Sequence, residues 1–207
     1  MESPGRRASP AMPAYLRDLR SLRVAVFHPD DADGQSLVQQ LDRIGCRTQV
    51  HWPPPPQPAE GTDVVFLAVR PDLVHQDYPW AQGEQAPTVI AVVNYENPTI
   101  VEAVLRLGAR AVLPAPVRSF GLLSILVLAR QINGETRHLQ RTLRKLETRL
   151  EGQRQIAKAA AILMRSKGIS ETQAYELIRK QAMARRVSTV DIATSLIHAS
   201  EMLDFNR

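Results

Sequence analysis

The sequence predicts an α/β domain on a parallel sheet, followed by a long helix and a small all-α bundle. Three observations predict it. Five short strand-like runs, four of them apolar, are spaced by helix and turn signals in the front of the chain up to Leu113. Proline then stops at Pro116, and Ile125, Ile132, Leu139 and Leu146 recur every seven residues. Behind Gly152, two helix-start signals, Ser170 with Gln173 and Ser188 with Asp191, frame short apolar periodicities.

The elements follow in order. The apolar run Leu22 to Phe27 ends at His28-Pro29 and predicts a buried strand. Leu37, Val38, Leu41 and Ile44 have helical spacing, and Gly45 stands where a C-terminal cap belongs. Arg47 to His51 is a second strand. Trp52-Pro53-Pro54-Pro55-Pro56 lacks backbone donors and predicts a stiff loop, whose role the sequence leaves open. Asp63 to Val69 and Thr88 to Val93 are the third and fourth strands, and Pro71 to Ala86 between them has a poor helical pattern. Pro98 to Leu107 is a helix closed by Gly108, and Ala109 to Leu113 is a fifth strand. Strands separated by helical segments imply parallel pairing with right-handed crossovers, the doubly wound, flavodoxin-like arrangement.

From Ser119 the chain reads as helix. Leu143 and Leu150 join Leu139 and Leu146 to make a two-heptad coiled-coil seam, weaker before Leu139 where Ala129 and Thr136 occupy the alternate core positions. This predicts a homodimer through the helix. Gly134 and Gly152 each lower helix stability by about 1 kcal/mol relative to Ala. Three helices then share a small core: Ile156, Ala160 and Leu163; Ala174, Leu177, Ile178 and Ala182; Val190, Ala193, Leu196 and Ile197. The expected parts are an N-terminal disordered arm (1–19), the α/β domain (20–118), the long helix (119–153) and the bundle (154–207).

Composition narrows the function. The single cysteine, Cys46, excludes an internal disulfide framework and points to a reducing, cytoplasmic setting. No apolar run is long enough for a membrane span, and the N-terminus has no signal-peptide pattern. The five histidines show no metal-ligand spacing, and there is no phosphate-binding glycine loop or nucleophile elbow, so neither catalysis nor a cofactor is expected. Residues 1–129 carry 11 basic and 13 acidic side chains, whereas residues 130–207 carry 15 and 8. The helical tail therefore carries +7 against −2 for the front, which suits a polyanion but also suits plain solubility.

The Ala115-Pro116 step after the fifth strand, together with the strand rhythm of residues 20–130, resembles a response-regulator receiver domain. That resemblance implies an acidic pair after the first strand, yet His28-Pro29 stands there. The phospho-accepting position falls on Ala68, a degenerate site without a nucleophile; the hydroxyl position falls on Val93 and the lysine position on Ala115. The expectation is a pseudo-receiver that signals without an acyl phosphate. A shifted register with Asp30, Asp31 or Asp72 in the acidic roles is the alternative.

In the tail, Ile156-Ala157-Lys158-Ala159-Ala160-Ala161-Ile162-Leu163-Met164 is followed by Ser170 to Arg179, then Ala182-Met183 and Val190 to Ala193. This pattern resembles the ANTAR domain, a three-helix RNA-binding module of transcription antiterminators, over about residues 150–200. Matching positions include Ala157, Lys158, Leu163, Met164, Ala174, Leu177, Met183, Ile192 and Ala193; Ala160 stands where many members have Gly. A pseudo-receiver, a coiled-coil helix and an ANTAR tail together resemble the AmiR-type antiterminators of amidase operons. The resemblance implies binding to structured leader RNA and control by an amide-sensing, periplasmic-binding-protein-like (AmiC-like) negative regulator. The candidate RNA contacts are Lys158 and Arg165, seven apart on one helix face, and Arg179, Lys180, Arg185 and Arg186 at the end of the next helix. Tyr175 suits base stacking or plain packing, and Ala157 and Thr189 suit close approach of the RNA. Two rivals stay open. One is a DNA-binding helix-turn-helix, disfavoured because the would-be recognition helix has no Lys or Arg before Arg207. The other is a protein-only dimeric adaptor.

Overall fold

The computed structural model describes residues 18–204 and divides into two compact units, 1–137 and 138–207. The expected N-terminal arm lies outside the described residues except for its end, where a short 3-10 turn, Asp18–Ser21, buries Leu19 in the core.

The first unit is a five-stranded, all-parallel sheet in the order β2-β1-β3-β4-β5. The strands are β1 (Arg23–Phe27), β2 (Arg47–His51), β3 (Val64–Ala68), β4 (Thr88–Val93) and β5 (Ala111–Pro114). β3 and β4 are buried along their whole length, as central strands covered on both faces must be. α1 (Ala32–Ile44) starts on Asp31, whose side chain accepts from the Gly34 N–H at 2.9 Å, and ends on Gly45 at φ 95°. α2 (Pro98–Leu107) starts on Asn97 and ends on Gly108.

Only the crossovers containing α1 and α2 are helical. The β2–β3 connection is the stiff loop that the proline run predicts, and the β3–β4 connection, with its poor helical pattern, forms only the 3-10 turn Pro79–Ala81. Side chains cover the bare sheet there. Trp80 packs edge-on to Phe27 at 5.9 Å and to Tyr78 at 5.5 Å, over Ala25, Val65 and Leu67.

α3 runs unbroken from Leu122 to Lys167 and supplies residues to both units. Leu122, Leu126 and Ala129 pack on the opposite sheet face together with Leu37 and Leu41. One turn later, buried Asn133 donates to Thr88 Oγ1 at 3.0 Å and accepts from Arg110 Nε at 3.2 Å, so this helix face stays polar-matched to the strand ends. Ala129 is fully buried in this core, which takes it out of the seam.

The second unit contains the rest of α3, α4 (Glu171–Arg185) and α5 (Thr189–Asp204). Its core is Ala159, Ala160, Leu163, Ala174, Ile178, Ala182, Ile192, Ala193 and Ile197. Ala159 and Ile192 join the core positions expected from periodicity. Val190 is only half-buried, yet it explains Gly152. The helix does not end there: a Cβ on Gly152 would stand 3.0 Å from Val190 Cγ2, so the missing side chain lets α5 start against α3. Gly152→Leu is expected to destabilise this unit by about 1–3 kcal/mol through overpacking, outweighing the gain in helix propensity. A urea midpoint equal to or above wild type would refute this packing role.

Candidate nucleic-acid interface

Local sequence positions the helices of the second unit. Ser170 accepts from the Gln173 N–H and Gln173 reaches back to the Ser170 N–H at 3.0 Å, a complete capping box that starts α4. Ser188 starts α5: its Oγ accepts from the Asp191 N–H at 3.1 Å, while the Asp191 carboxylate accepts from the Ser188 N–H at 3.0 Å and the Ser188 hydroxyl at 2.7 Å. Those hydrogen bonds, the hydroxyl's first, hold the Asp191 carboxyl below its ordinary value near 3.8. A depressed carboxyl contributes stability above the ordinary value and loses it as the pH falls through the folded value. Acid titration should therefore fray the start of α5 below about pH 3.8, and Asp191→Asn should flatten that limb. Identical acid limbs by circular dichroism would exclude the cap as its source.

The cap between the helices is unusual. Arg186 ends α4 at φ 55°, the only described non-glycine residue in the left-handed region. Any L side chain there, through its Cβ, costs about 1–2 kcal/mol relative to glycine. Arg186→Gly should raise the unfolding midpoint; if Arg186 also meets phosphate, the same variant should bind polyanions less well. A destabilised variant would contradict the strain.

The structure distributes the expected basic residues rather than joining them in one patch. Arg179 lines a groove of about 570 Å³ together with Gln153, Ile156, Ala157, Tyr175 and Thr189. Arg185 lines a second groove of about 400 Å³ with Lys167, Gln181 and Ser195 over Leu163, Ile178 and Ile192. On α4 these two arginines are six residues apart, which turns them to different sides of the helix. Lys158 is held by Glu201 of α5 at 3.0 Å, and this ammonium keeps the Glu201 carboxyl below the usual range. Both partners are more than half exposed, so water and ions compete for the pair. Arg165, Lys180 and Arg186 are exposed. Gln153, Lys167 and Gln181 were not among the expected site residues. Lys167 could have been found as the last cation on the same helix as Arg165, but the glutamines carry no signal of their own.

Tyr175 is 38 % exposed and belongs to no core, so its ring is accessible at the surface, where packing and base stacking both fit. Ala157 and Thr189, which suit close approach, stand with it in the same groove. Leu139, Leu143, Leu146 and Leu150 are each more than half exposed.

The strand ends of the first unit show where receiver chemistry would sit. Ala68 closes β3, paired with Val92, and is buried. Val93 closes β4 and its carbonyl accepts from the Ala115 N–H. His28 is 2 % exposed, with Nδ1 at 3.0 Å from the Pro29 carbonyl. The nearby carboxylates serve the fold: Asp31 caps α1, Asp33 accepts from the Val117 N–H at 2.6 Å, Asp30 accepts from Gln35, and Asp72 pairs with Arg70 at 3.3 Å. Ala68 and Val93 stand at the C-terminal ends of their strands, paired with Val92 and Pro114. Among the described residues no helix is long and apolar enough to cross a membrane.

Comparison with known proteins fits this layout. Residues 22–130 match the model of the AmiR N-terminal domain, and residues 144–197 match the ANTAR domain. The chain is similar to the aliphatic amidase regulator of Pseudomonas aeruginosa, with 34 % identity over 186 residues, 89 % of this chain and 95 % of that one. It is similar to the nitrate regulatory protein of Klebsiella oxytoca at 37 % identity over 73 residues, 35 % of this chain and 18 % of that one. Among solved structures, the response regulator StyR aligns with a TM-score of 0.46 and 17 % identity, covering 86 % of this chain and 98 % of its own. A CheY-like response regulator from Mesorhizobium loti aligns over 52 % of this chain and 98 % of its own, with a TM-score of 0.42 and 19 % identity. Both domain models match in the order the architecture requires, and the first alone spans more than half of the sequence, so the chain belongs to the ANTAR-domain regulators with an AmiR-type N-terminal domain.

Proposed function

We propose that this regulator is an RNA-binding transcription antiterminator. As a homodimer it holds paired stem-loops of a leader RNA in a form that excludes the terminator hairpin. Its state is set by a ligand-sensing protein partner, an amide-sensing, periplasmic-binding-protein-like repressor, and not by phosphorylation. The observation that carries this reading is the groove in which Tyr175, Arg179, Ala157 and Thr189 meet. An exposed ring beside a guanidinium suits a base splayed out of a hairpin loop and its phosphate, because sequence-specific RNA recognition targets unstacked loop bases. Arg165, Lys180, Arg185 and Arg186, with Lys158 exchanging its Glu201 partner, supply the surrounding phosphate contacts. α5 carries no Lys or Arg among its described residues, which speaks against reading a DNA major groove with it. The seam Leu139, Leu143, Leu146 and Leu150 supports the dimer, because four leucines repeating along about 17 Å of helix form an apolar stripe that water solvates poorly. Dimerisation would set two grooves at a defined spacing.

The test compares the full chain on a two-hairpin leader RNA, the same RNA with scrambled loops, and duplex DNA, over a salt series. The reading expects preference for intact loops, and log Kobs falling with log salt by about 0.7–0.9 per phosphate neutralised. Equal affinity for all three nucleic acids would reduce the tail to nonspecific charge and refute hairpin recognition.

A further inference from the structure

Phe120 is 95 % exposed, more than any other large apolar side chain among the described residues. The backbone on both sides of it is fixed. Three residues before it, buried Val117 donates its N–H to Asp33 Oδ1 at 2.6 Å, and its carbonyl accepts from Ser36 Oγ at 3.2 Å. Two residues after it, Leu122 is buried in the same core as Val117. The ring is thus held out in water between two anchors, and its backbone has little freedom left to lose on binding. Exposed aromatic side chains on fixed backbone are the usual anchors of protein interfaces.

Beside Phe120 lies a groove of about 310 Å³ between β5 and the start of α3. Leu113, Pro114, Pro116 and Ile125 give it apolar walls, and exposed Arg118 stands at its rim. Phe120 borders the groove, but a ring so exposed does not fill it. Apolar walls with one cation suit an aromatic occupant, which buries its edges and offers its face to the guanidinium. A ring and an empty groove side by side on one surface are self-complementary, because a two-fold axis pairs each with the other.

The groove also continues the leucine seam. After Ile125 come exposed Leu128 and Ile132, at spacings of three and four, and Leu139 follows seven residues later. These spacings keep one face of a single helix. The seam by itself offers four leucines a chain, against the ~20–30 residues a side of a standard stable interface. The face from Phe120 to Ile132 supplies apolar surface that such a dimer still lacks.

We infer that a second copy of this chain covers this face: the Phe120 ring of each protomer enters the groove of its partner, and the α3 stripes pair from Ile125 to Leu150. Groove then faces groove, so the two α3 helices run in the same direction. The contact rests on the dimer proposed above and adds to the leucine seam. With one ring per protomer it does not hold the dimer without that seam.

The experiment is sedimentation equilibrium on the full chain. Phe120→Ala should raise the dimer Kd by at least about 30-fold, the loss that marks an interface hot spot. Phe120→Trp keeps an aromatic anchor and should stay within a few-fold of wild type. Phe120 belongs to no core, so both variants should keep the wild-type helical content. A benzophenone side chain placed at position 120 should, on irradiation, join two chains, with the cross-link mapping to residues 113–125 of the other copy. A wild-type chain that is monomeric at high micromolar concentration would overturn the dimer reading and this contact together. Unchanged Kd in Phe120→Ala, beside a monomeric Leu143→Asp, would leave the seam standing and overturn this contact alone. Cross-links confined within one chain, or reaching any other part of the second copy, would overturn it as well.

Discussion

Tyr175→Ala is expected to weaken binding of the two-hairpin RNA by about 5–150-fold, the range that corresponds to the ~1–3 kcal/mol contributed by one base–aromatic stack. The bundle should survive the change. Tyr175 is exposed and lies outside the core of Ala174, Ile178 and Ala182 that holds α4 in place. Tyr175→Phe keeps the π-face and should retain most of the affinity. The neighbouring Arg179→Ala should also weaken binding, but with a shallower salt dependence, because it removes a phosphate contact and not a stack. The two losses should be less than additive if one nucleotide occupies both side chains. Electrophoretic mobility or fluorescence anisotropy across a salt series separates these outcomes. Wild-type affinity in Tyr175→Ala would move the RNA out of this groove, and Arg185 with Lys167 in the second groove would become the place to look.

Leu143→Asp is expected to convert the protein to a monomer. A carboxylate at a core position of a two-heptad seam must be desolvated against an apolar partner, a cost that so short an interface cannot offset. Within one chain Leu143 is exposed and belongs to no core, so the melting of the two units taken singly should change little. The larger consequence is on RNA. If two grooves engage two hairpins, the second contact is intramolecular, and linking such contacts raises avidity by about 10²–10⁴ without new interactions. The variant should therefore lose affinity for the paired-hairpin RNA on that scale and keep its affinity for a single hairpin. Sedimentation velocity reports the first effect and the two RNAs report the second. A variant that remains dimeric would place the dimer contact elsewhere than Leu139 to Leu150.

The parts of this protein governed by nearest neighbours were readable from the chain. Apolar runs mark β1, β3, β4 and β5, and Gly45 and Gly108 close α1 and α2, because a left-handed cap favours a residue without Cβ and because a strand buried on both faces must be apolar throughout. The capping boxes at Ser170 and Ser188 were readable for the same reason: their partners lie three residues away. The receiver-like rhythm was readable too, from the spacing of the strands.

Contacts across sequence distance were not readable. Gly152 suggested a weak point in the long helix, but Val190, 38 residues on, needs the space it leaves. The cluster Lys158, Arg165, Arg179, Lys180, Arg185 and Arg186 looked continuous along the chain. Periodicity says which side of α4 each residue occupies, but the neighbouring helix on that side comes from the crossing of helices, and this crossing puts Arg179 and Arg185 in different grooves and Lys158 against Glu201.

The sequence by itself determined a parallel α/β sheet, a long helix with a leucine seam and a basic helical tail, because each follows from local propensity, spacing and charge, while the ANTAR assignment came from its resemblance to that family. Only the tertiary structure decided that Tyr175, Arg179, Ala157 and Thr189 share one groove, that Asn133 and Ala129 fasten the long helix to the sheet, and that Trp80 covers the sheet face where a crossover helix is missing. Those arrangements depend on where packing brings distant backbones together, and close packing is a property of the assembled core that no single stretch of residues contains.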